Sequence, residues 1–252
     1  MIKKIGSDFF YKESSDNTLA WAKEYLDTAQ DGAVFIAHEL TRARGRQGRV
    51  WHWAPGQLAL TFVLKPSFAP NEDDLTKLSM ALACGIYQAI TQYGVTLKWP
   101  NDFVINQKKV GGMLMELVWD SNTLRGIIFA FGLNVNNTFE PTHELAELAT
   151  SLCVQNSNPA CPEPVEGPAL QETILTSLDS WYQAWYSRAY DHIFATWVAA
   201  QSYLGKTITV HKKDGSTITG IAHHLLPNGT LCLKVGNEKL VLSFHDVDFL
   251  RL

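Results

Sequence analysis

The stretch Thr96-Leu97-Lys98-Trp99-Pro100-Asn101-Asp102-Phe103-Val104-Ile105 decides the fold class. Thr96 to Lys98 and Phe103 to Ile105 read as short strands, and Pro100-Asn101-Asp102 between them reads as a turn. Pro100 has no N–H to give a central strand, so the first strand ends there. Working outward, Met113 to Trp119 and Gly126 to Asn134 are further apolar runs that read as strands of the same sheet. On the other side lies a helix over Glu72 to Tyr93, capped by Asn71 and stopped by Gly94. Asp73 and Asp74 favour its positive end, and Leu75, Leu78, Leu82, Ile86, Ala89 and Ile90 form its apolar face. Strands in runs, with helices between only some of them, predict an α+β fold and not a regular βαβ array.

Earlier in the chain, Leu58, Leu60, Phe62 and Leu64 alternate with Ala59, Thr61, Val63 and Lys65, a strand ended by Pro66. Asp16 to Ala29 reads as a helix with Leu19, Ala22, Leu26 and Ala29 on one face, followed by a short buried strand from Val34 to Ala37. Ser157 to Ala169 is rich in proline and reads as an exposed loop; Leu170 to Tyr186 and Asp191 to Tyr203 read as helices. After Gly205 come short strands over Lys206 to His211, Ser216 to Ala222, Thr230 to Val235 and Lys239 to Phe244. Asp214-Gly215, Asn228-Gly229 and Gly236-Asn237 separate them as tight turns. The expected division is therefore residues 1–203 as one domain and 204–252 as a small barrel leaning on it.

Apolar residues make up 46% and charged residues 18% of the 252, the balance of an ordinary globular protein. A net charge of −4 argues against a protein that lives on nucleic acid, whose binding face is usually basic throughout. Positive charge is local instead, in Arg42, Arg44, Arg46 and Arg49, which suits a compact anion. Cys84, Cys153, Cys161 and Cys232 form no CxxC pair, so no disulfide or zinc site is expected. No run approaches the ~20 apolar residues of a membrane span. A cytoplasmic protein is the expectation.

The loop Thr41-Arg42-Ala43-Arg44-Gly45-Arg46-Gln47-Gly48-Arg49-Val50-Trp51 offers forked guanidinium donors for phosphate or carboxylate oxygens, and Gly45 and Gly48 let backbone N–H groups approach an anion. If extended, it places Arg44 and Arg46 on one side; a solvated basic loop, or a nucleic-acid contact, is the plainer alternative. Asp102 on its turn can hold Mg2+ through one carboxylate, or merely cap the turn. Lys109 beside Gly111 and Gly112 can reach an acyl phosphate with little obstruction, though a lysine pair at a strand start is often only solvated. Phe131-Gly132-Leu133-Asn134-Val135-Asn136 pairs a close-approach glycine with asparagines that could read an amide or base edge, or simply end a strand.

In this order, together with Ser15-Asp16-Asn17 and Lys98-Trp99-Pro100-Asn101-Asp102, these segments resemble the biotin protein ligase family across nearly the whole chain. The resemblance implies a mixed-sheet α+β catalytic domain related to class II aminoacyl-tRNA synthetases, with an SH3-like C-terminal barrel. It implies Mg2+, ATP and biotin as cofactor and substrates, with a biotin carboxyl carrier domain as partner, no DNA, no membrane, and a homodimer as one possible assembly. Carried over, Ser15, Asp16 and Asn17 line the biotin pocket with Gly111 and Gly112, while Arg44, Gly45 and Arg46 close over the biotin carboxylate and the α-phosphate. Lys109 contacts the acyl phosphate as a catalytic residue beside Arg44, Arg46 and Asp102, the last also the Mg2+ ligand. Arg49, Trp51, Lys98 and Asn134 fall on the ATP side. The implied reaction makes biotinyl-5′-AMP and then passes biotin to a carrier lysine. A lipoate-type ligase and a non-catalytic biotin or nucleotide sensor are the alternatives.

The sequence departs from the family pattern at three places: Leu40 stands where Gln is usual, Ala43 where the first loop glycine is, and Asp16 where Thr is. Leu40 removes a polar contact expected for the ureido head, and Ala43 restricts the backbone if its φ must be positive. Bifunctional members carry an N-terminal helix-turn-helix domain. With Ser15 so close to Met1, neither that domain nor repressor activity is expected.

Overall fold

The computed structural model describes residues 5–156 and 167–251. Its larger sheet is built from β1 (Phe9–Ser15), β2 (Val34–Leu40), β3 (Gln57–Leu64), β4 (Thr96–Lys98), β5 (Asp102–Ile105), β6 (Lys108–Asp120) and β7 (Thr123–Asn134), in the order β1-β2-β3-β7-β6-β5-β4. β1 runs parallel to β2 and every other neighbouring pair is antiparallel, so the sheet is mixed. The helices are α1 (Thr18–Glu24), α2 (Glu72–Ile90), α3 (Leu152–Asn156), α4 (Gly167–Tyr186) and α5 (Tyr190–Ala199).

Period-two alternation sorts the strand residues onto two faces. Leu60, Phe62 and Leu64 of β3 join Ile127, Phe129, Phe131 and Leu133 of β7 on the face covered by α2, α4 and α5. Val63 and Ile128 point the other way and pack with Phe35 against Leu19, Trp21, Ala22 and Leu26 of the α1 region. Each such fully buried apolar side chain contributes about 1.5–3 kcal/mol. The α2 start carries a full capping box between Asn71 and Asp74.

The helix expected over Asp16 to Ala29 is shorter. Asn17 Oδ1 accepts the Leu19 N–H and starts it, and after Glu24 the chain tightens into turns that still bury Leu26 and Ala29. β1 carries no alternating pattern and lies at a sheet edge with most of its side chains exposed, so periodicity gives no sign of it. The proline-rich loop lies mostly outside the described residues, but its expected tail does not: residues 167–169 open α4, where Pro168 needs no N–H partner.

A second, antiparallel sheet follows, of order β11-β10-β9-β8-β12, from β8 (Thr207–Lys212), β9 (Thr217–Leu225), β10 (Leu231–Val235), β11 (Glu238–Leu242) and β12 (Val247–Arg251). Its last strand, beyond the four expected, pairs with β8 and forms that edge of the sheet. Apolar burial runs without a break from Met80 and Trp99 into Leu225, Leu231 and Leu233. Polar anchors reinforce this contact: the Trp99 indole N–H donates to Gly229 O at 2.8 Å, and Lys77 Nζ donates to Pro227 O.

Candidate active site

Where α1 stops covering the sheet, the same face carries small residues. Ala59 and Thr61 of β3, Ala130 and Gly132 of β7, and Gly112 and Leu114 of β6 are register partners across three strands, and they form the floor of a cavity of about 150 Å³. Thr18 Oγ1 lies 2.7 Å from Thr61 Oγ1 and fixes the start of α1 at the rim. Leu40 and Ala43 line the wall and are buried with Ala37 and Ala59 against Trp51 and Trp53.

A β-bulge brings the amine into this space. Phe103 pairs with Gly111 but Val104 with Lys109, so Val110 is an extra residue in β6. Strict alternation would put Lys109 and Gly112, three positions apart, on opposite faces. With Val110 taken into the core behind the sheet, Lys109 instead emerges over Gly112, where an added Cβ would lie 3.2 Å from its Cε and Nζ. Lys109 Nζ meets Asp102 Oδ1, and Asp102 sits opposite Gly112 on β5. The Trp51 ring lies over Gly132 in the same way, with Lys109 Nζ 5.8 Å from its centroid.

The arginine loop is a closed hairpin. Trp51 N bonds Ala43 O and Gly45 N bonds Arg49 O, with Arg46–Gly48 in a single tight turn. Its left-handed residues are Gln47 and Gly48; Ala43 is not one of them, so the alanine costs the loop no strained backbone. Arg46 and Arg44 do not act as an alternating pair. Arg44 is exposed on the cavity wall, whereas Arg46 reaches Asn101 Oδ1 at 3.1 Å, Phe244 O at 2.8 Å and Val247 O at 3.3 Å. Arg49 pairs with Asp248, so the second sheet holds the loop from outside. Burial pulls the Arg46 guanidinium below its ordinary pKa; Asp102 opposes that fall and Arg49 adds to it.

Of the residues expected at the site, Asn17, Arg44, Gly45, Arg46, Arg49, Trp51, Asp102, Lys109 and Gly112 line this one cavity. The others are placed elsewhere. Asp16 faces solvent, accepting from Thr41 Oγ1 beside Arg42, and Ser15 is not on the wall. Gly111 points behind the sheet, where an added Cβ would meet Gly132 O at 2.9 Å. Asn134 is buried and fully engaged, donating to Thr150 O at 2.9 Å and accepting from Gln57 Nε2 at 2.8 Å. Lys98 is off the cavity wall, opposite Asp102 on β4; burial lowers its pKa, Asp102 opposes this, and Lys109 and Arg251 add to it.

Sequence reasoning named Gly112 and Gly132 but missed Ala59, Thr61 and Ala130 of the floor, and it missed the outer clamp. Small residues at alternate positions of β3 and β7, between large ones, were the signal for the floor. Asp248 and the carbonyls of Phe244 and Val247 carried none. Among the described residues no cluster of three His, Cys, Asp or Glu side chains could cage a metal. Asp102 offers one hard oxygen ligand, which fits a Mg2+ whose other ligands are phosphate oxygens and water.

Comparison with known proteins gives a consistent picture. A model of the biotin/lipoate A/B protein ligase family matches residues 9–134. The chain is 27% identical to the bifunctional ligase/repressor BirA of Bacillus subtilis over 252 residues, covering 97% of this chain and 74% of that protein. It is 29% identical to the biotin–[acetyl-CoA-carboxylase] ligase of Mycobacterium tuberculosis over 228 residues, covering 88% and 80%. Among solved structures, the biotin protein ligase from Aquifex aeolicus in complex with biotin and ATP shares the fold at a TM-score of 0.81 and 23% identity, over 97% of this chain and 99% of that one.

Proposed function

The chain belongs to the biotin/lipoate A/B protein ligase family, and from that premise we propose that it activates biotin with ATP and transfers it to a lysine of a biotin carboxyl carrier domain. A carboxylate oxygen of biotin attacks the α-phosphorus of ATP and pyrophosphate leaves. The carrier amine then attacks the acyl carbon of biotinyl-5′-AMP, and AMP leaves. The observation that carries the reading is the shared cavity: an apolar wall at Leu40 and Ala43, and Lys109, Arg44 and Arg46 beside it. Both steps develop negative charge on oxygen, and a fixed cation aimed at it is worth about 3–4 kcal/mol of barrier.

In this reading Lys109 is aimed by Asp102 at the reacting carboxyl, Arg44 and Arg46 hold phosphate oxygens, and Trp51 flanks the purine. Asp102 is the residue that would hold Mg2+, which would supply neutralisation of phosphate charge. Asn17 and Thr18 supply polar atoms at the rim of the biotin end. The assignment of residues 1–203 as catalytic domain and 204–252 as an SH3-like barrel belongs to the same reading, supported by the change from mixed to antiparallel sheet. So does a cytoplasmic location, since no helix among the described residues is long and apolar enough to cross a membrane. Homodimer formation is part of the proposal too and rests on family resemblance.

The test is biotin-dependent ATP–pyrophosphate exchange with lipoate as the control acid. Exchange with biotin alone is expected. Exchange with lipoate alone would transfer the assignment to the lipoate branch.

A further inference from the structure

We propose that Gln57 is a positioning residue: it locks the Trp51 ring flat against Gly132 as the wall that receives the purine of ATP, and so it rests on the function proposed above. Trp51 closes a hairpin whose tip is exposed, and its ring packs beside Ala43 and the apolar patch of Ala37, Leu40 and Ala59, which offers the indole N–H no partner. Two further contacts set its rotation. One face of the ring lies on Gly132, where an added Cβ would stand 3.1 Å from the indole carbons. Its edge donates through Nε1 to Gln57 Oε1 at 3.2 Å.

The Gln57 amide cannot turn away. Its oxygen also accepts the Ala54 N–H at 3.3 Å, while its nitrogen donates to His52 O at 3.0 Å and Asn134 Oδ1 at 2.8 Å. Reversing the amide would set N–H groups against two N–H donors and oxygen against the His52 carbonyl. The bonds continue inward: Asn134 Nδ2 donates to Thr150 O at 2.9 Å, and Thr150 N donates to the backbone oxygen of Lys109 at 2.8 Å. Trp51 and Lys109, on two walls of one cavity, thus hang from one hydrogen-bonded chain with Gln57 at its hinge. Gln57 itself is not on the cavity wall, so it acts through the ring and not on substrate.

The experiment compares wild type, Gln57→Leu, Trp51→Ala and the double variant, reading KM for ATP and for biotin in pyrophosphate exchange. Loss of one such bond is expected to raise the ATP KM of Gln57→Leu roughly tenfold, with the biotin KM within about twofold. In the Trp51→Ala background the same substitution is expected to add nothing. An equal penalty in both backgrounds, a matching rise for biotin, or no change at all overturns the proposal.

Gln57→Glu keeps an acceptor for the indole and Ala54 but sets its second oxygen against His52 O and Asn134 Oδ1, and it covers the case in which the leucine variant fails to fold. It is expected to raise the ATP KM while leaving the biotin KM within about twofold, and an unchanged ATP KM or an equal rise for biotin overturns the proposal. Absence of exchange in the wild type would remove the function proposed above and the purine with it, leaving the Gln57 lock on the ring to be tested alone. The indole N–H resonance of Trp51, assigned by its loss in Trp51→Phe, then decides. It is expected to shift and to exchange faster with water in Gln57→Leu, and an unmoved resonance overturns the proposal.

Discussion

Lys109 Nζ lies 2.5 Å from Asp102 Oδ1, although the residue directly opposite Asp102 on the neighbouring strand is Gly112. The pair joins two sequence motifs into one charged unit at a cavity whose floor is made of small side chains. Asp102 restrains an amine that would otherwise sweep a wide arc, and Gly112 leaves the space it occupies.

Removing that amine is the first prediction. Lys109→Met is expected to slow single-turnover formation of biotinyl-AMP by about 10²–10³-fold, the usual effect of losing one fixed donor to developing charge. Its unfolding midpoint in urea is expected to stay near that of the wild type, because the lysine side chain is more than a third exposed.

Neighbouring glycines should fail differently. In Gly112→Ala the new methyl meets the mobile end of Lys109, so the sheet is expected to keep its stability while the adenylation rate falls. In Gly111→Ala the methyl meets the backbone oxygen of Gly132, which cannot give way, and a loss of about 1–3 kcal/mol is expected in urea unfolding. Equal stability in the two variants would contradict the face assignment.

The outer clamp on the arginine loop can be read by proteolysis. Arg46→Lys loses the planar fork that meets Asn101, Phe244 and Val247, and Asp248→Ala frees Arg49. Both are expected to speed tryptic cleavage between residues 44 and 49 several-fold. The Asp248→Ala pair is half exposed, so it is expected to move global stability by no more than about 1 kcal/mol.

Asp74 carries a pH prediction. Burial alone would raise its pKa, but hydrogen bonds from Tyr190 and the Asn71 N–H, with the Arg188 charge, bring the balance below the ordinary carboxylate value. A carboxylate with a depressed folded pKa adds stability above its unfolded pKa of about 3.9, and that stability fades as pH falls through the folded value. Asp74→Asn is therefore expected to be less stable than wild type at pH 7, with the gap constant down to about pH 5 and closing below about 3.9. Urea titrations across that range measure it.

Much of this was legible beforehand. Asn71, Gly94 and the apolar face of α2 located that helix, and alternation located β3, because both signals are local. The motifs also named most of the cavity wall. What escaped was set by distant partners. Asn134 sits in a segment that reads as ligand-facing, yet Thr150 and Gln57 consume its amide. Arg44 and Arg46 read as equivalent, and only the position of β12 and the segment before it makes one exposed and the other clamped. β1 needed β2 beside it before its residues had any reason to be extended.

The bulge at Val110 has a consequence for how this site can change. Lys109 and Gly112 stand three positions apart, and only the extra residue lets both face the cavity. Deleting Val110 would remove the bulge and leave the two positions alternating onto the same side, so the amine would keep its face; inserting one residue between them with the bulge kept would turn Lys109 into the core. Substitution tests the ingredients of the site; a single-residue change in length tests its parity.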